Sequence, residues 1–230
     1  MSSEVPSLFY ATLDTCGTAP DTVVVIDVIR AFTTAAFAFA AGARDIVTVG
    51  TVEEAFTLRN HFPGSLVMGE VGGERPPGFD FGNSPVALAQ ADLSGRRIIQ
   101  RTSAGTQGLV RSLWADTLLA ASLVCAGATA RYIQQQKPDS VTFVSTGNNP
   151  QVDEDDACAY YLAALLQGNA PAPGTLLREL RQRVPSEILT NPEYTEFVAD
   201  LDLCFTIDRF DFAMVVERQA GLRVMKTVTI

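Results

Sequence analysis

Apolar residues follow two patterns along the chain: short unbroken runs, and longer segments with helical spacing. The clearest run is Val23-Val24-Val25-Ile26, whose uninterrupted β-branched side chains are typical of a buried strand and predict one over residues 22–26. Comparable runs predict strands over residues 45–49, 65–68, 97–101, 117–120, 140–144, 212–217 and 222–227. Helical patterns lie between and after them, over residues 31–41, 51–60, 105–113, 126–136, 155–167, 175–183 and 194–201. Strands that alternate with helices in this way predict an α/β fold.

Two segments interrupt the alternation. Residues 69–85 are rich in glycine and proline, so we expect no regular element there. A loop of this length inside a compact domain is often functional. Residues 169–174 form a predicted turn that could mark a subdomain boundary within a single domain over residues 1–230.

Charge and composition indicate which cellular location and which classes of binding partner to expect. The 17 basic residues are outnumbered by 26 acidic ones, and no basic stripe is present to neutralise a nucleic acid. The apolar runs are too short to cross a bilayer, and the first ten residues lack the pattern of a secretion signal. We therefore expect a cytoplasmic protein without nucleic-acid or membrane partners. Its scattered cysteines are predicted to be reduced and mostly buried: Cys16, Cys125, Cys158 and Cys204.

Candidate chemistry falls at the ends of predicted strands, at Asp27, Glu70, Thr102 and Ser145. In an open parallel sheet the carboxyl ends of the strands form the crevice in which ligands bind. We expect these four segments to converge there.

Asp27 and Arg30 stand at a junction between a strand and a helix, and each has two interpretations. Asp27 could hold a metal ion or cap the helix, since aspartate is a common N-cap. Arg30 could clamp a phosphate or sulfonate with its planar fork or lie on the surface. The sequence leaves both alternatives open.

Two turns and one acidic run add weaker signals. Residues 102–106 combine hydroxyls with a helix start, which favours anion binding, and residues 145–149 form a similar turn. Residues 153–156 are four adjacent carboxylates at the start of a helix. They either interact with the helix dipole or bind Mg²⁺, which would relieve their mutual repulsion.

Several enzyme classes are disfavoured. His61 is the only histidine and is predicted to end a helix, and no nucleophile lies in a recognisable elbow. No G-x-G-x-x-G follows the first strand, which argues against a dinucleotide-dependent oxidoreductase. Asp27 lacks a second aspartate two positions on, which argues against a haloacid-dehalogenase-type phosphatase.

Six stretches together resemble the 2-phosphosulfolactate phosphatase family. In chain order they are residues 23–31, Gly69-Glu70 with Gly72-Gly73, residues 77–85 (PGFDFGNSP), residues 102–106 (TSAGT), Glu154-Asp155, and residues 208–211 (DRFD). The resemblance implies a three-layer α/β/α sandwich around a mostly parallel, mixed sheet. It also implies Mg²⁺-dependent hydrolysis of a phosphate ester on a small sulfonated hydroxy acid.

The resemblance suggests roles for particular residues. Asp27, Glu70, Glu154 and Asp155 form a pool of metal ligands or water-activating carboxylates, whose roles stay undivided. Arg30, Ser145 and the turn of Thr102, Ser103, Gly105 and Thr106 would bind the substrate's oxygens. Asp80 and Asn83 would organise the glycine-rich loop or touch substrate. A homodimer is expected only on general grounds.

The chain departs from the family pattern at three places. Val71 stands where the family usually has arginine, Ala104 where it has asparagine, and residues 145–147 where a Cys-Ala-Gly turn is common. Arg75 or Arg101 could replace the missing cation. An alternative is therefore a catalytically altered or inactive member that binds a small phosphorylated or sulfonated acid.

Overall fold

The computed structural model describes residues 5–147 and 154–230. Within them the strands are β1 (Ser7–Thr12), β2 (Thr22–Ile26), β3 (Asp45–Thr48), β4 (Leu66–Gly69), β5 (Arg97–Arg101), β6 (Thr117–Ala121), β7 (Ser140–Ser145), β8 (Phe212–Gln219) and β9 (Leu222–Thr229). The α-helices are α1 (Ala31–Ala40), α2 (Val52–His61), α3 (Pro85–Ala89), α4 (Gly105–Arg111), α5 (Ala126–Gln136), α6 (Glu154–Gln167), α7 (Pro173–Arg183), α8 (Ser186–Thr190) and α9 (Thr195–Cys204).

All nine strands form one mixed sheet in the order β1-β7-β2-β6-β8-β9-β3-β5-β4. The strands β1, β7, β2 and β6 pair in parallel, and so do β3, β5 and β4. The hairpin β8–β9 lies between these groups and pairs antiparallel with both. The two parallel groups therefore run in opposite directions.

Alternate residues of the strands face two helical layers. Val23 and Val25 of β2 belong to a core cluster that includes nearly all of α1 together with parts of α3 and α4. Val24 and Ile26 face the other side, where α5, α6, α7 and α9 cover them. A separate cluster packs α2 on β3, β4 and β5. The predicted three-layer α/β/α sandwich around a mostly parallel sheet is thus confirmed.

The twist of the sheet explains how distant strand ends meet. Neighbouring strands rotate by roughly 20–25°, so the five steps from β2 to β5 accumulate on the order of 100–125°. Strands β2 and β5 therefore cross at a steep angle. Gln100 of β5 accordingly donates to the carbonyl oxygen of Ala31 at the start of α1, at 2.9 Å. Strand β5 thus meets the segment after β2, although the two strands do not share a parallel edge.

The other expectations for the chain are met in part. All four cysteines are buried and free, as predicted. In the described part of the chain, no helix is both long and apolar enough to traverse a membrane. Residues 168–172 separate α6 from α7, so the predicted turn of residues 169–174 extends into the first turn of α7. Leu176, Leu177 and Leu180 of α7 pack onto the same cluster as α6.

Candidate active site

Asp27 directly follows β2 and is almost fully buried. Its Oδ1 accepts a hydrogen bond from the backbone N–H of Ala31, the first residue of α1, at 2.8 Å. Asp27 therefore caps α1, although the N-cap residue itself is Arg30. The same carboxylate also lines a cleft, so Asp27 can take part in chemistry as well as cap the helix.

Gly105 brings the turn after β5 against Asp27. A Cβ atom at Gly105 would lie 2.7 Å from Asp27 Oδ2 and 2.8 Å from the Cβ of Ala31. Real Cβ atoms do not approach other atoms so closely, because protein interiors are already close-packed. Glycine at this position therefore allows segments from the two parallel groups of strands to touch.

Glu70 follows β4 and ties the glycine-rich loop to the turn after β5. Its Oε1 accepts from the backbone N–H of Ser103 at 2.6 Å, and its Oε2 accepts from the Ser103 hydroxyl at 3.0 Å and from the N–H of Gly73 at 2.7 Å. Gly72 and Gly73 both have positive φ angles, as a tight turn between Val71 and Glu74 requires. The backbone thus folds around the carboxylate and fixes it in the cleft.

Burial and neighbouring negative charges raise the pKa of two acidic side chains of the site, Asp27 and Asp155. Burial raises the pKa of Asp27 to about 6, and the negative charge of Glu70 adds to the effect. Burial is also the main cause that raises the pKa of Asp155 well above its usual range, followed by repulsion from Asp27 and Glu154. Because a cation would remove this repulsion, the site favours one near Asp27.

Asp155 lies behind the cleft and organises its floor. Its Oδ1 accepts from the N–H of Val28 at 2.8 Å, and its Oδ2 accepts from the N–H groups of Thr146 and Gly147 at 3.1 and 2.8 Å. The carboxylate therefore joins the segment after β2 to the segment after β7. It is not among the described residues that line the cleft.

The cleft has a volume of about 400 Å³ and two chemically different walls. The polar wall includes five of the residues predicted from sequence: Asp27, Arg30, Glu70, Asn83 and Glu154. The apolar wall comes partly from the helical region after α6, through Val184, Ile188, Phe197 and Leu201. The cleft can thus hold a small molecule between a carboxylate-rich surface and an apolar one.

Arg30 is fixed at the edge of the cleft by an aspartate far along the chain. Its Nη1 donates to Oδ2 of Asp200 at 2.6 Å, and its guanidinium lies 5.2 Å from the centre of the Phe197 ring. Only 19% of the Arg30 side chain is exposed, against 1% for Asp200. The surface interpretation of Arg30 is therefore wrong, because α9 packs over it.

Asn83 presents an amide to the cleft. The residue is 9% exposed, and its buried Oδ1 has no hydrogen-bond partner among residues 5–147 and 154–230. A buried polar atom of this kind is uncommon in native proteins and calls for an explanation. Because Oδ1 only accepts hydrogen bonds, the group that satisfies it has to be a donor, such as a bound water molecule.

The hydroxyls of the turn after β5 bond mainly to the protein itself. Thr102 Oγ1 accepts from the N–H of Thr106 at 3.0 Å, and Thr106 Oγ1 accepts from the N–H of Thr102 at 2.8 Å. Ser103 holds Glu70, and Ser145 is the last residue of β7. None of these, nor Gly105, is among the described residues that line the cleft, although the neighbouring Ala104 is. Direct contact between them and substrate stays a prediction.

Asp80 anchors the glycine-rich loop. Its Oδ2 accepts from the N–H of Val67 in β4 at 2.8 Å, and its Oδ1 accepts from Arg59 of α2 at 3.2 Å. This geometry agrees with the loop-organising alternative for Asp80.

The acidic run is only partly covered by the described residues. Glu154 begins α6 and lines the cleft, whereas Asp153 lies outside the described residues, as do Asn148 and Asn149 of the turn after β7.

Comparison with known proteins identifies the family. The sequence profile of 2-phosphosulpholactate phosphatase matches residues 10–219. A protein of Carboxydothermus hydrogenoformans named "Probable 2-phosphosulfolactate phosphatase" is 36% identical over 217 residues, covering 89% of this chain and 90% of its own. A Bacillus subtilis protein of the same name is 34% identical over 145 residues, covering 63% of this chain and 64% of its own. The chain belongs to the 2-phosphosulfolactate phosphatase family.

Two of the family departures can now be located. Ala104 lines the cleft, whereas Val71 is 45% exposed in the tight turn after Glu70. Arg101 donates to the carbonyl oxygen of Glu70 at 2.7 Å, and Arg75 donates to that of Asp80 at 3.4 Å. Neither fills the cleft, and Arg30 is the only basic side chain among its described lining residues.

The family motif DRFD has a structural role at its first residue. Asp208 Oδ1 accepts from the N–H of Gly127 at 2.6 Å, in the first turn of α5. The N-cap residue of α5, Cys125, supplies no side-chain hydrogen bond. Asp208 therefore caps a helix from a distance of 81 residues along the chain.

The donor set is compatible with a hard divalent cation. The described residues contain no ready-made group of three or more metal-ligating side chains. Mg²⁺, however, is usually held by one or two carboxylates together with substrate phosphate and water. Asp27 and Glu70 face one cleft, and the negative charge of Glu70 adds to the effect of burial in raising the pKa of Asp27, so they fit such a site.

Asp200 is the site residue that sequence reasoning missed. It lies on α9 between Phe197 and Leu201, which both line the cleft, and Cys204 one turn later is buried. A carboxylate on the apolar face of a helix is rarely tolerated unless it is paired. That signal was available, but the partner of Asp200 could not be found without the fold.

Proposed function

We propose that the protein hydrolyses the phosphate ester of 2-phosphosulfolactate, or of a closely related small acid, with Mg²⁺ as cofactor. The observation that carries the proposal is that Asp27 and Glu70, from the two opposed groups of strands, face one cleft beside Arg30. Membership of the family and the names of the relatives agree with this chemistry. The four buried free cysteines agree with a cytoplasmic location.

The residues of the cleft suggest how the reaction proceeds. Asp27 and Glu70 would hold the cation, which supplies positive charge to the phosphoryl group when bound. A carboxylate of the cleft that does not hold the cation, such as Glu154, can accept a proton from the attacking water. Arg30 and the amide of Asn83 would bind oxygens of the substrate, and the apolar wall would exclude bulk water.

Phosphate release tests the proposal. The purified protein is given 2-phosphosulfolactate and phospholactate, each with Mg²⁺ and with EDTA. We expect release from the sulfonated ester with Mg²⁺ only, and a loss of roughly 10²–10³ in rate for Asp27→Asn. The exposed Asp116→Asn is the matched control and should act as wild type. A folded Asp27→Asn protein with full activity would sink the assignment.

The cleft also favours a second candidate. Ala104 replaces the family's usual asparagine in the cleft lining, so the chain could bind a phosphorylated or sulfonated acid without turning it over. A rise in melting temperature with 2-phosphosulfolactate, but without phosphate release, would support this candidate.

A further inference from the structure

Asp200 connects two parts of the cleft that come from distant segments. Its Oδ2 accepts from Arg30 Nη1 at 2.6 Å. Its Oδ1 accepts from the hydroxyl of Ser84 at 2.7 Å and from the N–H of Val86 at 3.1 Å. One buried carboxylate therefore holds the segment after β2 and the end of the glycine-rich loop together.

Both tethered segments carry a group that faces the cleft. Arg30 lines it directly, and its guanidinium has further N–H donors besides the one bound to Asp200. Asn83, the neighbour of Ser84, also lines the cleft, and the N–H groups of its amide can donate to an anion. The relative position of guanidinium and amide thus depends on Asp200.

We propose that Asp200 is a positioning residue for substrate: it holds Arg30 and the Asn83–Ser84 turn so that guanidinium and amide together bind one anionic group. This inference rests on the proposed function. The group would be the one that does not react, a sulfonate or carboxylate, because the carboxylates of Asp27, Glu70 and Glu154 occupy the rest of the polar wall. Substrate binding, rather than the rate of the chemical step, should then depend on Asp200.

Asp200→Asn tests the inference because an amide cannot replace both carboxylate oxygens. Asparagine has a single acceptor oxygen, so it loses either the bond from Arg30 or the bond from the N–H of Val86, although its NH₂ group can still donate to the hydroxyl of Ser84. We expect KM for 2-phosphosulfolactate to rise roughly tenfold or more, with kcat within about threefold of wild type. Asp202→Asn, on the exposed side of the same helix and paired with Arg181, is the matched control.

Several results would overturn the inference. A folded Asp200→Asn protein with unchanged KM, or with lower kcat alone, would give Asp200 a purely structural role. A lower KM would mean that Asp200 only weakens the charge of Arg30. If Asp200→Asn does not fold, Ser84→Ala removes one tether, and it should raise KM a few-fold without changing kcat. An unchanged KM in that variant also contradicts the inference.

Binding separates this inference from the proposed function. If wild-type protein releases no phosphate, the proposed function fails, and calorimetry with sulfolactate then compares the same variants. Weaker binding by Asp200→Asn than by wild type or Asp202→Asn upholds the role of Asp200. Equal binding by all three, or no binding by wild type, overturns it.

Discussion

At the scale of single residues, Gly105 is where the two halves of the sheet come into contact. In Gly105→Ala the new methyl group would meet Asp27 Oδ2 at 2.7 Å and Ala31 at 2.8 Å. We expect the free energy of unfolding to fall by about 1–3 kcal/mol, as for other overpacked sites. Phosphate release should fall as well, because Asp27 would be displaced. Urea unfolding and initial rates measure the two effects.

Gly174 provides the control for this substitution. It lies in the first turn of α7, and a Cβ there would meet no atom within 4 Å. Gly174→Ala should leave activity unchanged and be neutral or slightly stabilising, since alanine restricts the unfolded chain. Equal stability of both variants would show that the region around Asp27 can relax, against the tight contact inferred here.

At the scale of secondary-structure elements, α5 depends on a cap from another segment. Asp208→Ala removes the acceptor for the N–H of Gly127 and leaves alanine at a φ of 53°. We expect a loss of about 1–2 kcal/mol, with KM for substrate unchanged, because Asp208 does not line the described cleft. Asp208→Asn keeps an acceptor oxygen and tolerates this backbone conformation, so it should lose less. A large rise in KM for Asp208→Ala would instead place the DRFD motif in substrate binding.

The same scale shows how far sequence predicts this fold. Strands β2 and β5 and helix α5 match their predicted bounds, because their apolar patterns are unbroken and long. Strand β1 was missed because it is an edge strand with mostly exposed side chains, and α8 because it has five residues and buries none. The apolar pattern of a sequence cannot predict a strand or helix that buries few of its side chains.

In the candidate site, too, local features were predicted from sequence and long-range contacts were not. Asp27, Glu70 and Arg30 were found because chemistry-bearing residues at strand ends are a local signal. The antiparallel hairpin between the two groups of strands, and therefore the real path by which Asp27 meets Gly105, depends on pairings between residues about 95 to 180 positions apart. The role of Asp200 belongs to the same class, since it is separated from Arg30 by 170 residues.

At the scale of the whole molecule, a bound cation should stabilise the native state. The carboxylates that would bind it come together only on folding, so Mg²⁺ at 100 times its dissociation constant should add about 2.7 kcal/mol. For a chain of this length each kcal/mol corresponds to roughly 2–4 °C, giving an expected rise of roughly 5–10 °C in melting temperature. Differential scanning calorimetry with increasing MgCl₂ measures it.

The net charge of −9 makes a control for ionic strength essential. Any salt screens the repulsion among surface carboxylates, so NaCl at the same ionic strength gives the non-specific part of the rise. The specific part should disappear in Asp27→Asn and in Glu70→Gln, and it should survive in Asp116→Asn, whose carboxylate is exposed. Equal rises in MgCl₂ and NaCl for the wild-type protein would remove Asp27 and Glu70 from the metal site and leave them as organisers of the cleft.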